Sequence, residues 1–189
     1  MSKITILSTM VAISLLFSAC SNDSKKEATV EEANAVLSTN EYVLTGLNKQ
    51  QYVLKKSANG FKLDGAEGKV VILDIFATWC PPCQAEASHL ASLQKKYKDS
   101  LVVLGVTVEQ GVENSKLQIF REEHGADYPL VNSTENSRLI QEVAKKLKIG
   151  RDFGIPLMAL YKDGILINYY QGAVEEEFIE SDIKKALGL

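Results

Sequence analysis

Two cysteines separated by two residues, Cys80 and Cys83, lie in the stretch DIFATWCPPC with the only tryptophan, Trp79, and two of the four prolines, Pro81 and Pro82. Thiols so close together could exchange with disulfides, form a structural disulfide or supply half of a zinc site. Unless Cys20 contributes, zinc would require Cys80, Cys83, His89 and His124 all to converge. His124 stands just before Gly125 and reads instead as the partner of a helix C-terminal dipole. A structural disulfide across two intervening residues closes a loop too short to add much stability. Redox exchange is therefore the chemistry that the pair favours.

The flanking residues give the two thiols different roles. Cys80 sits where the apolar run KVVILDIFA gives way to a helix, with Pro81 and Pro82 at first-turn positions where a missing N–H costs nothing. Unpaired amides and the positive dipole end then point at Cys80 and favour its thiolate, at a pKa of ~3.5 to 7.5 in comparable sites. Cys83, one turn in, is expected to be shielded while Cys80 is exposed. Cys80 would attack a substrate disulfide and Cys83 would resolve the mixed disulfide. Asp74 interrupts VVILDIF, where a charge is costly without a partner or a task. Glu86 shares a helical stripe with Leu90, Leu93 and Tyr97. Either acid could accept the Cys83 proton, and either could instead be a paired core acid.

These residues are carried by alternating strand and helix patterns, which imply an α/β fold with helices packed on a sheet. Tyr42 to Leu47 and Gln51 to Ser57 read as a hairpin bent at Asn48-Lys49. The strand before Cys80 and the helix from about Cys83 to Tyr97 are followed by a strand from Leu101 to Glu109. Helices are expected at about Glu113 to His124 and Glu135 to Leu147, with a short strand, Tyr128 to Val131, between them. After the loop KIGRDFGIP comes a hairpin turning at Asp163-Gly164, then a helix from Val174 to Leu187.

Residues 1–19 have one lysine, an uncharged and mostly apolar run from Ile4 to Phe17, and small residues before Cys20. This is the layout of an export signal; the uncharged run to Ala19 falls short of the ~20 residues of a membrane span. The segment LFSAC resembles the bacterial lipobox, which implies lipidation of Cys20. It would also leave Cys80 and Cys83 as a pair with no odd thiol. Residues 20–40 form a polar tether and 41–189 a single domain. Removing residues 1–19 takes one of 21 basic residues and no acid, leaving 20 against 24 and a net charge of −4. Nothing in this balance suggests a nucleic-acid partner.

VILDIFATWCPPC followed by FGIPLMALYKDG resembles the thioredoxin superfamily. The export signal, the N-terminal hairpin and the segment from about Val112 to Asn132 resemble its TlpA/ResA-like exported branch. The resemblance covers roughly residues 40–189. It implies a thioredoxin-like fold: a central mixed sheet flanked by helices, with an N-terminal β-hairpin extension and a central βα insertion. It also implies Cys80 as nucleophile, Cys83 as resolving thiol, Trp79 as a neighbour of the site and a cis Pro156 facing the disulfide. Ile155 would then offer its backbone to an extended substrate, with Pro81 and Pro82 beside it. Asp74 falls where thioredoxins place a buried Asp, and Glu86 where cytochrome-maturation reductases place a Glu, so the base is left undecided.

The function expected is that of a lipid-anchored thiol:disulfide oxidoreductase on the extracytoplasmic (periplasmic) side. It would reduce disulfides of client proteins, with cytochrome c maturation among the candidate settings, using no metal and no cofactor beyond its own cysteine pair. Its partners would be disulfide-containing clients and a membrane thiol–disulfide electron donor. A disulfide-forming oxidase is one alternative, and a non-catalytic binding or adaptor module on the same scaffold is another. A peroxidase would use a separate peroxidatic cysteine with surrounding Thr and Arg, which the sequence does not offer.

Overall fold

A computed structural model describes residues 40–189, so the expected export signal, Cys20 and tether residues 20–39 lie outside the described residues. In chain order the elements are β1 (Glu41–Thr45), β2 (Gln51–Ser57), β3 (Gly60–Leu63), β4 (Val70–Phe76), α1 (Pro81–Lys96), β5 (Leu101–Thr107), α2 (Asn114–His124), β6 (Leu130–Val131), α3 (Asn136–Leu147), β7 (Leu157–Lys162), β8 (Ile165–Gln171) and α4 (Glu176–Leu187). A five-stranded mixed sheet in the order β6-β5-β4-β7-β8 stands beside a three-stranded antiparallel sheet, β1-β2-β3. β4 pairs parallel with β5 and antiparallel with β7, and all seven of its residues are buried.

Alternation along β4 divides the core into two layers. Val70, Ile72 and Phe76 pack with Leu90 and Leu93 of α1, Leu117 and Phe120 of α2, and Ile179 and Ile183 of α4. Val71, Leu73 and Ile75 pack against Tyr42, Leu54 and Phe61 of the small sheet and Leu139 and Val143 of α3. Asp74 falls in the first phase, and so projects into the layer that α1 covers. Among the described residues, no helix is long and apolar enough to cross a membrane.

Three differences from the sequence expectation have a clear local cause. The N-terminal extension is a three-stranded meander rather than a hairpin, because the four residues of β3 turn back on β2 with Ser57 opposite Gly60. Gly60 permits this turn: a Cβ there would lie 2.6 Å from the Tyr161 ring. The YPLV strand is confined to Leu130–Val131, since the Tyr128 N–H is already bonded to the Ala126 carbonyl and Pro129 has no N–H. The last helix begins at Glu176 rather than Val174, whose N–H is engaged by Glu86. The Asp163-Gly164 turn is as expected, with both residues at positive φ (49° and 84°).

Candidate active site

β4 ends at Phe76, and Ala77–Cys80 carry the chain from the sheet to the start of α1. Cys80 is the N-cap, with extended backbone (φ −90°, ψ 107°), and Pro81 and Pro82 occupy the first two helical positions. The prolines thus stand in the first turn as expected, and the helix starts at Pro81 rather than at about Cys83. The prolines remove two of the N–H groups that would be orphaned there, and the Cys83 N–H donates to Cys80 Sγ at 3.3 Å. A sulfur held this way receives both a backbone donor and the positive end of the helix dipole. Cys80 and Cys83 are joined in a disulfide with Cα atoms 5.3 Å apart.

The expected difference in exposure between the thiols is absent from this oxidised form: Cys80 and Cys83 are each only 3% exposed. The covering group comes from far along the chain. The Ile155–Pro156 bond is cis, and the Ile155 carbonyl oxygen lies 3.7 Å from Cys80 Sγ. Pro156 is buried and Ile155 half-buried, while Trp79 (65% exposed), Pro81 and Pro82 form the rim of the site. The Pro156 carbonyl accepts from the Gly172 N–H at 2.8 Å, which ties the loop to the end of β8.

Two residues outside the expected set brace the loop before Cys80. Glu109, just past β5, accepts from the Thr78 N–H at 2.7 Å and from the Thr78 hydroxyl at 3.1 Å. Gln84 Nε2 donates to the Thr78 carbonyl at 2.8 Å. Both backbone groups of Thr78 are therefore held by side chains from separate elements. In sequence, Glu109 looks like any acid at a strand end, and nothing local marks its reach to a loop 31 residues earlier.

Both acids are where the pattern places them, Asp74 in the layer under α1 and Glu86 on the buried face of α1, and both are nearly sealed from water (Asp74 3%, Glu86 2% exposed). Asp74 Oδ2 accepts from the Tyr128 hydroxyl at 3.0 Å, a partner not foreseen from sequence. Glu86 Oε1 accepts from the Val174 N–H at 3.2 Å, and its Oε2 is buried without a partner. Burial pushes Asp74 up to about 7 despite the Tyr128 hydrogen bond. It pushes Glu86 up to about 8, with the Val174 bond opposing the rise and the Asp74 charge adding to it.

His124 lies in the last turn of α2, its ring 5.2 Å from that of Phe120, and Gly125 caps the helix at φ 64°. Among the described residues there is no cluster of His, Cys, Asp and Glu suited to a metal ion. A cleft of about 630 Å³ is lined by Tyr42, Lys56, Arg138, Glu142, Ile149 and Arg151, and none of the thiol-site residues borders it.

Fold and site together define a thioredoxin-fold protein with a cysteine pair at a helix N-terminus facing a cis-proline loop. The chain belongs to the AhpC/TSA family, whose profile matches residues 47–163. It is similar to the thioredoxin-like protein YneN of Bacillus subtilis (30% identity over 109 residues, 57% of each chain). It is also similar to the thiol-disulfide oxidoreductase ResA of that organism (31% over 108 residues, 56% of this chain and 59% of ResA). The chain thus matches less than two thirds of the length of these relatives. Among solved structures it resembles a thiol:disulfide interchange protein from Chlorobium tepidum, with a TM-score of 0.60, 21% identity and coverage of 79% of this chain and 94% of that one. A secreted Mycobacterium tuberculosis disulfide oxidoreductase gives 0.56 and 16%, with 78% and 98% covered. These structural likenesses show the fold.

The raised acids carry a stability signature. A carboxyl whose folded pKa lies above its unfolded value near 4 binds more protons folded than unfolded, so its stability contribution is full below about pH 4 and is lost as pH rises. With Asp74 at about 7 and Glu86 at about 8, the protein should lose several kcal/mol between about pH 4 and pH 8. Denaturant melts across that window should show the decline in the native sequence, a shallower one in Asp74→Asn and Glu86→Gln, and a nearly flat profile in the double variant. An equally steep decline in all four would place its origin elsewhere.

Proposed function

We propose that the protein is an exported thiol:disulfide oxidoreductase, anchored to the membrane by a lipid on Cys20, that reduces disulfides in extracytoplasmic client proteins. The observation that supports this most is the Cys80–Cys83 disulfide at the start of α1, opposed by the Ile155 carbonyl, with two buried acids on the strand and helix that flank it. In the forward direction the Cys80 thiolate attacks a client disulfide, forming a mixed disulfide and expelling one client thiolate. Cys83 then gives its proton to a buried carboxylate and attacks Cys80 Sγ. That step closes the Cys80–Cys83 disulfide and releases the second client thiolate, so two electrons pass from the protein to the client.

Trp79, Pro81, Pro82 and the Ile155–Pro156 segment would form the surface on which an extended client segment lies. Each turnover leaves the protein oxidised, so a membrane thiol–disulfide donor must restore the dithiol in an oxidising compartment. Apocytochrome c is a suitable client class for such a reductant, in keeping with the resemblance of the Glu86 position to that of the active-site Glu in cytochrome-maturation reductases.

The order of attack is tested by trapping. A Cys83→Ala protein expressed in its native host should accumulate reducible complexes with clients through Cys80, and Cys80→Ala should accumulate few or none. Equal trapping by both variants would reverse the assignment. Absence of any trapping, together with failure to reduce insulin, would favour a binding module on this scaffold.

The anchor is tested separately, by fractionation. Two or more acyl chains on Cys20 would hold the protein firmly in the membrane. Cys20→Ser should therefore leave the membrane fraction or remain unprocessed; recovery of a processed Cys20→Ser protein in the membrane would refute lipid anchoring.

A further inference from the structure

The site contains two buried carboxyls and, for each, one donor. Glu86 has the backbone N–H of Val174 and Asp74 has the hydroxyl of Tyr128. No cation neutralises either: among the described residues neither acid takes part in an ion pair with Lys, Arg or His. Two acids so placed titrate as a coupled set, because ionising one raises the cost of ionising the other. Whichever is better solvated by its donor loses its proton first, and that one is available as a base near neutral pH.

Tyr128 is placed for this by three features. It is 2% exposed, so its hydroxyl is shielded from bulk solvent. It enters the layer under α1 from the segment between α2 and β6, and β5 makes room for it at Gly105, the residue paired with Asp74 across the sheet. A Cβ at Gly105 would come within 3.1 Å of Tyr128 Cε2 and 2.6 Å of Leu130 Cδ2, so a side chain here would push the ring off its position. Burial and the two neighbouring acids raise the Tyr128 pKa well above 10, which keeps its hydroxyl a donor throughout the working range.

Other charged groups on this side of the sheet are engaged elsewhere or carry no bond to the acids. On α1, His89 is half-buried and its Nδ1 has no partner. On α2, Arg121 pairs with Asp127 at 2.8 Å and His124 lies against Phe120. On α4, Glu176 accepts from Ser92, and Glu180 pairs with Lys96 and Lys184. Opposite Asp74 on β7 is the apolar Met158.

We propose that Tyr128 is a positioning residue that decides which carboxyl receives the Cys83 proton: its hydroxyl holds Asp74 as the acid that ionises first, leaving Glu86 as the one that keeps its proton. This rests on the thiol-exchange function proposed above only for its catalytic consequence. The order of ionisation is a property of the folded chain whether or not it reduces disulfides.

The test is a pH titration of the side-chain carboxyl carbons of Asp74 and Glu86 by NMR in the reduced full-length protein. In the native sequence Asp74 should titrate at the lower pH. In Tyr128→Phe, which removes the hydroxyl and keeps the ring, the Asp74 midpoint should rise by about one to two pH units, the effect of losing one hydrogen bond to a charged group. The pH dependence of mixed-disulfide resolution should move with it, and Glu86→Gln should slow resolution more in the Tyr128→Phe background than alone. In Asp74→Asn, adding Tyr128→Phe should leave the resolution profile where it was. A lower midpoint for Glu86 than for Asp74 in the native sequence overturns the proposal without any variant having to fold. So does an Asp74 midpoint unmoved by Tyr128→Phe. If the ordering holds while the thiols trap no client, only the functional reading fails.

Discussion

The hydrogen bond from the Cys83 N–H to Cys80 Sγ is the contact on which the rest of the site depends. It places one sulfur at the positive end of α1 and makes the other the nearest side chain able to attack it. The surrounding structure serves to keep that helix end in place. β4, buried on both faces, delivers the chain to Cys80. Pro81 and Pro82 start the helix without orphaning donors, and Glu109 and Gln84 grip Thr78 from two directions. The cis Ile155–Pro156 segment closes the site from the start of β7, the strand beside β4, with the Ile155 carbonyl against Cys80.

In the strand and helix that flank the thiols the protein accepts an energetic cost. Asp74 and Glu86 are buried with one hydrogen bond each and no counter-ion, an arrangement that favours their neutral forms and weakens the fold as pH rises. A core built for stability alone would carry apolar residues there. A pair of acids held near neutrality is suited to taking a proton from a thiol that must become nucleophilic only after its partner has reacted. In this account the same burial that destabilises the protein at high pH makes the acids useful as bases.

The parts of this site that were legible in the sequence are those encoded locally. The boundary between VVILDIF and the CPPC helix, the prolines at the first turn, and a lone charge in an apolar strand all announce themselves within a few residues. What was missed depends on contacts across long stretches of chain. Tyr128 meets Asp74 across 54 residues and Glu109 meets Thr78 across 31, whereas the cis-proline loop that brings the Ile155 carbonyl to Cys80 from 75 residues away was expected only through the family resemblance. One signal was present: Gly105 interrupts LVVLGVTVE, and a glycine inside a buried strand marks a close approach by something else, here the Tyr128 ring. β3 escaped notice because four residues after a tight turn carry too little periodicity to separate strand from loop.

The central claim, that the start of α1 makes Cys80 alone the reactive thiol, is tested most directly by alkylating the reduced protein with iodoacetamide across pH. The sites are read by peptide mass spectrometry. Cys80 should be modified with a midpoint below about 7.5 while Cys83 stays unmodified. Modification of both cysteines together, with midpoints near the ~8.5 of a free thiol, would contradict it.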